Sequence, residues 1–292
     1  MSLWQGKSKG NKTGYQFFVW VLKNLGIPSA YLLLKVVVAY FFLFSYRSSK
    51  EIFNLYHKRL GYKKMKALKN LYKNYYLLGQ GLIDKVVMMA GIKNNFSYHF
   101  DGEENLRAIT SLNKGGILLS AHIGNWDIAG QLLKRLDTKI NIVMFDGEHQ
   151  KIKEYLAAVT GKKTVNIIFI KNDLSHIYEI SEALKNNELV CMHADRFLEG
   201  NKILTTTFLG QEARFPMGPF VLAATFKVPV SFVFAVKENN FHYHFFASEI
   251  KEYSHLQKTA GMQRMLTDYA ENMELMVKKY PEQWFNYYNF WS

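Results

Sequence analysis

The sequence predicts an α/β fold in which a largely parallel central sheet is flanked by helices and preceded by an N-terminal helical segment. Three observations carry this. Hydrophobic residues make up 49% of the 292 and charged residues 21%, so the chain buries a full core and is not disordered. From about residue 95 onward, short apolar runs alternate with amphipathic stretches, the pattern of strands joined by crossover helices. Before that point the apolar and aromatic positions recur at helical spacing instead.

The front end has its own character. Residues 1–75 hold fourteen lysines and arginines against one acid, Glu51, a net of +13; the remainder is neutral. The same stretch is apolar. Residues 27–46 read IPSAYLLLKVVVAYFFLFSY, close to the ~20 residues that span a bilayer. Lys35 lies in the middle, where a charge costs roughly 2.5–3.5 kcal/mol. Basic residues flank the run on both sides, so no one-sided bias orients a crossing, and no small-residue cleavage site marks a signal peptide. An interfacial or re-entrant anchor is the expectation for residues 1–50. Trp4, Tyr15, Phe17, Phe18 and Trp20 would sit at headgroup depth, and the lysines against an anionic leaflet. The alternative is a buried helix beside a solvated basic face. Nucleic acid is not expected as a partner, because the charge is interleaved with the apolar run and no groove-reading motif is present.

A helical lead-in is expected over 51–95, opened by a capping box at Ser48-Ser49-Lys50-Glu51 and broken at Gly61; 91–95 is the nearest thing to a boundary. The rest, to residue 292, reads as one α/β domain. Buried strands are expected at 117–121, 140–145, 165–170, 189–194 and 228–236, and helices at 148–159, 174–186, 219–226 and 256–280. In the last helix Met262, Met265, Leu266, Tyr269, Met273 and Met276 form one stripe, read as core filler. The single cysteine, Cys191, excludes an internal disulfide and lies in an apolar strand, as inert core.

The sharpest feature is GGILLSAHIGNWDIAGQLLKRL, residues 115–136. A buried strand ends near Ala121 and is followed by His122, Ile123, Gly124, Asn125, Trp126 and Asp127, the last in the first turn of a helix. Ligands of open α/β sheets bind at the carboxyl ends of strands. A neutral imidazole there takes a proton from a hydroxyl or amine, provided that a carboxylate on its other nitrogen fixes the tautomer. No serine or cysteine nucleophile need join His122 and Asp127; the acceptor substrate is itself the nucleophile. Gly124 permits a tight turn, Asn125 suits an N-cap, and backbone N–H groups at the helix start would stabilise an oxyanion. Asp195-Arg196, at the end of the 189–194 strand, is the second candidate: a guanidinium there would hold a phosphate or a charged acceptor, and the rival reading is a structural ion pair. His193 is expected to pack. His242 and His244 share a strand face, but no third ligand is evident in the sequence and no metal is expected.

HIGNWD resembles the His-x4-Asp/Glu signature of the lysophospholipid acyltransferase superfamily, and the strand-HxGNWD-helix passage is most similar to its bacterial lipid A late acyltransferase branch. The likeness extends to residues 188–236, ELVCMHADRFLEGNKILTTTFLGQEARFPMGPFVLAATFKVPVSFVFAV, and to the closing PEQWFNYY at 281–288. It covers most of the chain. Two departures matter: the lipid A branch usually has Glu where this chain has Asp127, and the Phe-Pro-Glu-Gly-Thr block of the glycerol-phosphate branch is only echoed at 197–201.

The resemblance implies a fatty acyl transfer from acyl carrier protein or coenzyme A to a hydroxyl or amine of a lipid or glycolipid, at the cytoplasmic face of the bacterial inner membrane. His122 would be the general base and Asp127 its orienting partner, with Gly124, Asn125, Trp126, Asp195 and Arg196 binding substrate. No cofactor beyond the thioester donor is implied. A hydrolase, with water as acceptor, and a lipid-binding or scaffolding protein without turnover are the alternatives.

Overall fold

The computed structural model describes residues 12–126, 128, 136, 138–145, 166–171, 173–198 and 200–291. In chain order the elements are α1 (Lys12–Phe44), α2 (Tyr46–Asn54), a π-helical turn (Leu55–Arg59), α3 (Lys64–Met89), β1 (Ser97–Asp101), α4 (Glu103–Ser111), β2 (Gly116–Ser120), β3 (Ile140–Phe145), β4 (Asn166–Ile170), α5 (Ser175–Lys185), β5 (Leu189–His193), β6 (Ile203–Phe208), β7 (Gln211–Pro216), α6 (Met217–Phe226), β8 (Val230–Asn239), β9 (His242–Ala247), α7 (Lys258–Lys279) and a 3-10 turn (Pro281–Gln283).

Seven strands form one sheet in the order β1-β9-β8-β2-β5-β3-β4, and β6 and β7 form a separate hairpin. Every pairing in the large sheet is parallel except β8 with β9. The fold class expected from the sequence is therefore the one observed. β2 is central and buried along its whole length. Its residues serve both faces: Ile117 and Leu119 join the main core, while Leu118 packs with Leu106 and Ile109 of α4. A strand covered on both sides must be apolar at every position, which is why GILLS does not alternate.

All five expected strands are present, within three residues at each end. So are the helices expected at 174–186, 219–226 and 256–280. The helix expected at 148–159 lies outside the described residues. β1, α4 and the β6–β7 hairpin were not anticipated. The methionine stripe of α7 is buried throughout, beside Phe215, Phe220 and Phe232, whose rings gather with Tyr269.

The capping box is a correction. Ser48 and Ser49 lie inside α2, which begins at Tyr46 after Ser45, and no side chain caps it. The break at Gly61 is real, with φ +69° between the π-helical turn and α3.

α1 is kinked. Gly26 adopts φ 78° and ψ 176°, and Pro28 starts the second segment where its missing N–H costs nothing. One face, with Val19, Leu22, Tyr31, Leu34 and Val38, is buried, and the helix packs against α3. The other face leaves Phe17, Trp20, Leu25, Leu32, Val36, Tyr40, Leu43 and Phe44 exposed. Among the described residues one helix, Gln16–Phe44, is long and apolar enough to cross a membrane. Lys35 is on the exposed side. Both earlier readings thus hold in part: one face belongs to the core, and the other offers an apolar surface.

α1, α3 and the sheet meet at a buried polar cluster. Asp84 of α3 pairs with Lys237 of β8 and accepts hydrogen bonds from Tyr31 and Tyr243, and Lys237 Nζ donates to Tyr31 Oη at 2.8 Å. Burial raises the Asp84 carboxyl above its ordinary range, opposed by Lys237, and lowers the Lys237 ammonium, opposed by Asp84. Each keeps the other tolerable in a low-dielectric interior.

Candidate active site

β2 delivers His122 to the middle of the sheet's carboxyl edge, and β5 lies beside it in parallel register, with Ser120 opposite His193. Two residues past each of that pair come His122 and Asp195. The side chains meet: His122 Nδ1 is 2.7 Å from Asp195 Oδ1, and the His122 backbone N–H donates to Asp195 Oδ2 at 3.0 Å. Asp195 is 1% exposed and His122 20%, so the carboxylate is sealed and the ring reaches the surface.

Asp195 also accepts from Trp284 Nε1 at 3.3 Å, and its carbonyl accepts from Tyr288 Oη at 2.6 Å. Burial alone would raise its pKa; His122 and Arg196 outweigh that and hold the carboxyl well below the usual range. It is therefore ionised at neutral pH and accepts the proton of His122 Nδ1, which puts the ring's lone pair on Nε2. His193 stacks on His122 with centroids 4.2 Å apart, and Trp126 meets His193 edge-on at 4.9 Å. Burial and the neighbouring His122 drive the His193 pKa well below its ordinary value, so it stays neutral beside the dyad.

The turn after His122 is held by the backbone. Gly124 N donates to Gln283 O at 2.8 Å, Asn125 N to Ala235 O at 2.7 Å, and Phe285 N to His122 O at 2.9 Å. Gly124 has φ +69°, and a Cβ there would collide with the Ala235 carbonyl. No residue with a side chain fits both the dihedral and the space.

His122 opens on a pocket of about 600 Å³, part of it open to solvent. Leu78, Gly81 and Leu82 of α3 form one side, and Arg196, Phe285 and Tyr287 the other, with Gly124, Asn125 and Trp126 between.

The structure thus brings His122, Gly124, Asn125, Trp126 and Arg196 to one pocket, with Asp195 buried behind the ring. The carboxylate on the described imidazole contact is Asp195, which had been assigned to substrate binding; Asp127 lies outside the described residues. The Asn125 Nδ2 donates to Gly81 O at 3.0 Å and Tyr243 Oη at 3.3 Å, tying the turn to α3; the helix turn that its Oδ1 was expected to cap lies largely outside the described residues. The Gly124 and Asn125 N–H groups donate to the Gln283 and Ala235 carbonyls; most of the helix start expected to supply oxyanion donors lies outside the described residues. Arg196 Nη2 donates to the Phe285 carbonyl, an anchoring contact that leaves the guanidinium at the pocket wall. Burial pushes the Cys191 thiol up to about 12, which fits an inert core cysteine.

Sequence reasoning missed the contact of Asp195 with His122 and the clamp formed by Gln283 and Phe285. The signal for the first was present: two buried strands each end in a polar residue, and neighbouring parallel strands carry such ends to one edge.

The family model of the bacterial lipid A biosynthesis acyltransferases matches residues 15–292. The chain belongs to that family. Two phosphatidylinositol mannoside acyltransferases of Mycobacterium tuberculosis, from strains ATCC 25618 / H37Rv and CDC 1551 / Oshkosh, are 27% and 26% identical to it over 123 residues. The match covers 42% of this chain and 39% of theirs, so it spans about two-fifths of the length of these curated relatives. The crystal structure of the 1-acyl-sn-glycerophosphate acyltransferase PlsC from Thermotoga maritima aligns with a TM-score of 0.39 and 15% identity, over 85% of this chain and 95% of that one.

Proposed function

We propose that this lipid A acyltransferase family member moves a fatty acyl group from a thioester, on acyl carrier protein or coenzyme A, to a hydroxyl or amine of a lipid or glycolipid. The 2.7 Å contact between His122 and the buried Asp195 carries the reading. Asp195 holds the Nδ1 proton, and Nε2 takes the proton of the acceptor as it attacks the thioester carbonyl. The tetrahedral intermediate collapses with cleavage of the C–S bond, and the imidazolium returns its proton to the departing thiolate. Arg196, on the pocket wall, offers a cation to a phosphate of the donor or acceptor.

The sequence motif assigns the orienting role to Asp127, and the observed contact favours Asp195. The exposed apolar face of α1 and its basic surroundings support attachment to an anionic leaflet, at the cytoplasmic side of the inner membrane, where the acceptor need not leave the bilayer.

His122→Ala should abolish transfer while folding and membrane association persist. The assay is mass spectrometry of lipids from membranes given the labelled thioester, beside circular dichroism and membrane flotation. Wild-type turnover by this variant would end the mechanism. Thioester consumption without an acylated lipid would point to a hydrolase instead.

A further inference from the structure

A second cluster of titratable groups lies on β1, β9 and the end of β8, and the proposed acyl transfer uses none of it. Parallel pairing sets His99 opposite His244, so Ser97, His99 and Asp101 share a sheet face with His242 and His244. His99 Nε2 is 3.1 Å from Asp101 Oδ1, and His244 Nε2 is 3.0 Å from Asp101 Oδ2. One ligand atom from each of the three residues lies within 4.8 Å of the others.

The setting of His244 is the deciding observation. Its Nδ1 is 2.9 Å from Glu238 Oε1, an acceptor that Tyr280 Oη also binds at 2.8 Å, and this contact assigns the proton of the neutral ring to Nδ1. Nε2 then holds a lone pair. That nitrogen is buried, makes no hydrogen bond, and faces a carboxylate oxygen at 3.0 Å. Two lone-pair atoms so placed repel, and either a proton on Nε2 or a metal ion between them relieves this. Ligands about 2.0–2.1 Å from a tetrahedral ion are roughly 3.3 Å apart, so small side-chain shifts suffice here. A carboxylate on the far nitrogen of a ligating histidine is the usual outer support of such sites.

We propose that His99, Asp101 and His244 bind one divalent first-row transition ion, with Glu238 orienting His244. Two imidazoles select zinc, cobalt or nickel over magnesium or calcium. β1 is an edge strand paired only with β9, and the ion would cross-link the two. The partners of His244 that the sequence left unseen come from β1, and His242 itself is engaged with Ser97, Nδ1 to Oγ at 2.8 Å.

The test uses the whole chain in detergent, without a histidine tag, stripped by chelator and titrated with Co²⁺ alone. One equivalent should bind with intense visible bands of low coordination number, and Zn²⁺ should displace it and raise the Tm. His244→Ala and Asp101→Asn should lose the bands, and Glu238→Gln should weaken binding by about 10–100-fold. His242→Ala and His122→Ala should bind as the wild type does. Should His244→Ala not fold, the near-isosteric Asp101→Asn on the exposed strand carries the comparison. No Co²⁺ uptake by the wild type, which would leave His244 as a protonated bridge between the carboxylates, overturns the proposal. So does binding that survives Asp101→Asn, or that vanishes with His122→Ala.

Discussion

Replacing Asp195 by asparagine keeps the volume of the side chain and removes its charge. Asp195 Oδ1 faces His122 Nδ1 at 2.7 Å, and Oδ2 faces two donors, His122 N at 3.0 Å and Trp284 Nε1 at 3.3 Å. An amide satisfies only part of this. With its oxygen toward the ring, its NH2 meets two N–H groups in a site 1% exposed. With its NH2 toward the ring, it donates to Nδ1 and moves the imidazole proton to Nε2, where no base remains. The first arrangement leaves buried donors opposed; the second removes the catalyst. In either case the imidazolium that forms during transfer loses its counter-charge.

Exchanges of this kind behind a catalytic imidazole reduce turnover by ~10³–10⁴, which corresponds to about 4–5.5 kcal/mol of barrier. The measurement is initial rate of labelled acyl transfer in membranes or micelles, with melting curves to show that the variant folds. Because the two residues act as one unit, the double variant with His122→Ala should be no slower than His122→Ala alone. Asp127→Asn, made alongside, reports whether the motif's own carboxylate contributes. A folded Asp195→Asn enzyme within about ten-fold of the wild-type rate would refute the dyad.

The other predictions concern what holds the site. Gly124→Ala should destabilise the protein by about 1–3 kcal/mol and lower activity, because φ +69° and the Ala235 carbonyl both reject a Cβ; an unchanged Tm would count against the turn as drawn. Lys237→Met leaves Asp84 buried without its cation and should cost about 3–5 kcal/mol in denaturant unfolding, with partial recovery on adding Asp84→Asn; no recovery would mean the pair is not the cause. Removing residues 1–46 strips the buried face of α1 from α3 and takes Tyr31 from the Asp84–Lys237 cluster, so aggregation is expected on sedimentation; a soluble, equally active truncation would contradict the role given to α1.

The parts of the fold that could be read from the sequence are those buried on both faces. β2, β5 and the first half of β8 are nearly unbroken apolar runs, and β3 is one apart from Asn141; runs this short suit a covered strand better than a helix. β1 and β6 escaped notice for the opposite reason. SYHFD has one polar face, and ILTTTF carries three threonines, so neither stands out as apolar. The site was half legible. His122 was visible because it follows a buried strand. Its contact with Asp195 crosses 73 residues and depends on which strand lies beside β2, a register that no local spacing encodes. The spacing drew the eye to the carboxylate five residues away instead.

The same reasoning explains why a motif of six residues is too small a description of this site. The closing segment touches both members of the dyad: Phe285 N donates to the His122 carbonyl, while Trp284 Nε1 and Tyr288 Oη donate to Asp195. It also reaches the sheet, since the Gln283 side chain pairs both ways with the Lys237 backbone, at 2.8 Å each, and its carbonyl takes the Gly124 N–H. Lys237 in turn neutralises Asp84, so one backbone position links the dyad's clamp to the buried charge pair beneath α1. A hydrogen bond of 2.7 Å between two side chains on different strands demands positioning to a fraction of an ångström, and β2 and β5 alone supply only the register. The remaining constraint comes from residues 283–288. PEQWFNYY, the stretch similar to the family's closing segment, thus holds His122 and Asp195 in place through backbone groups and buried aromatics.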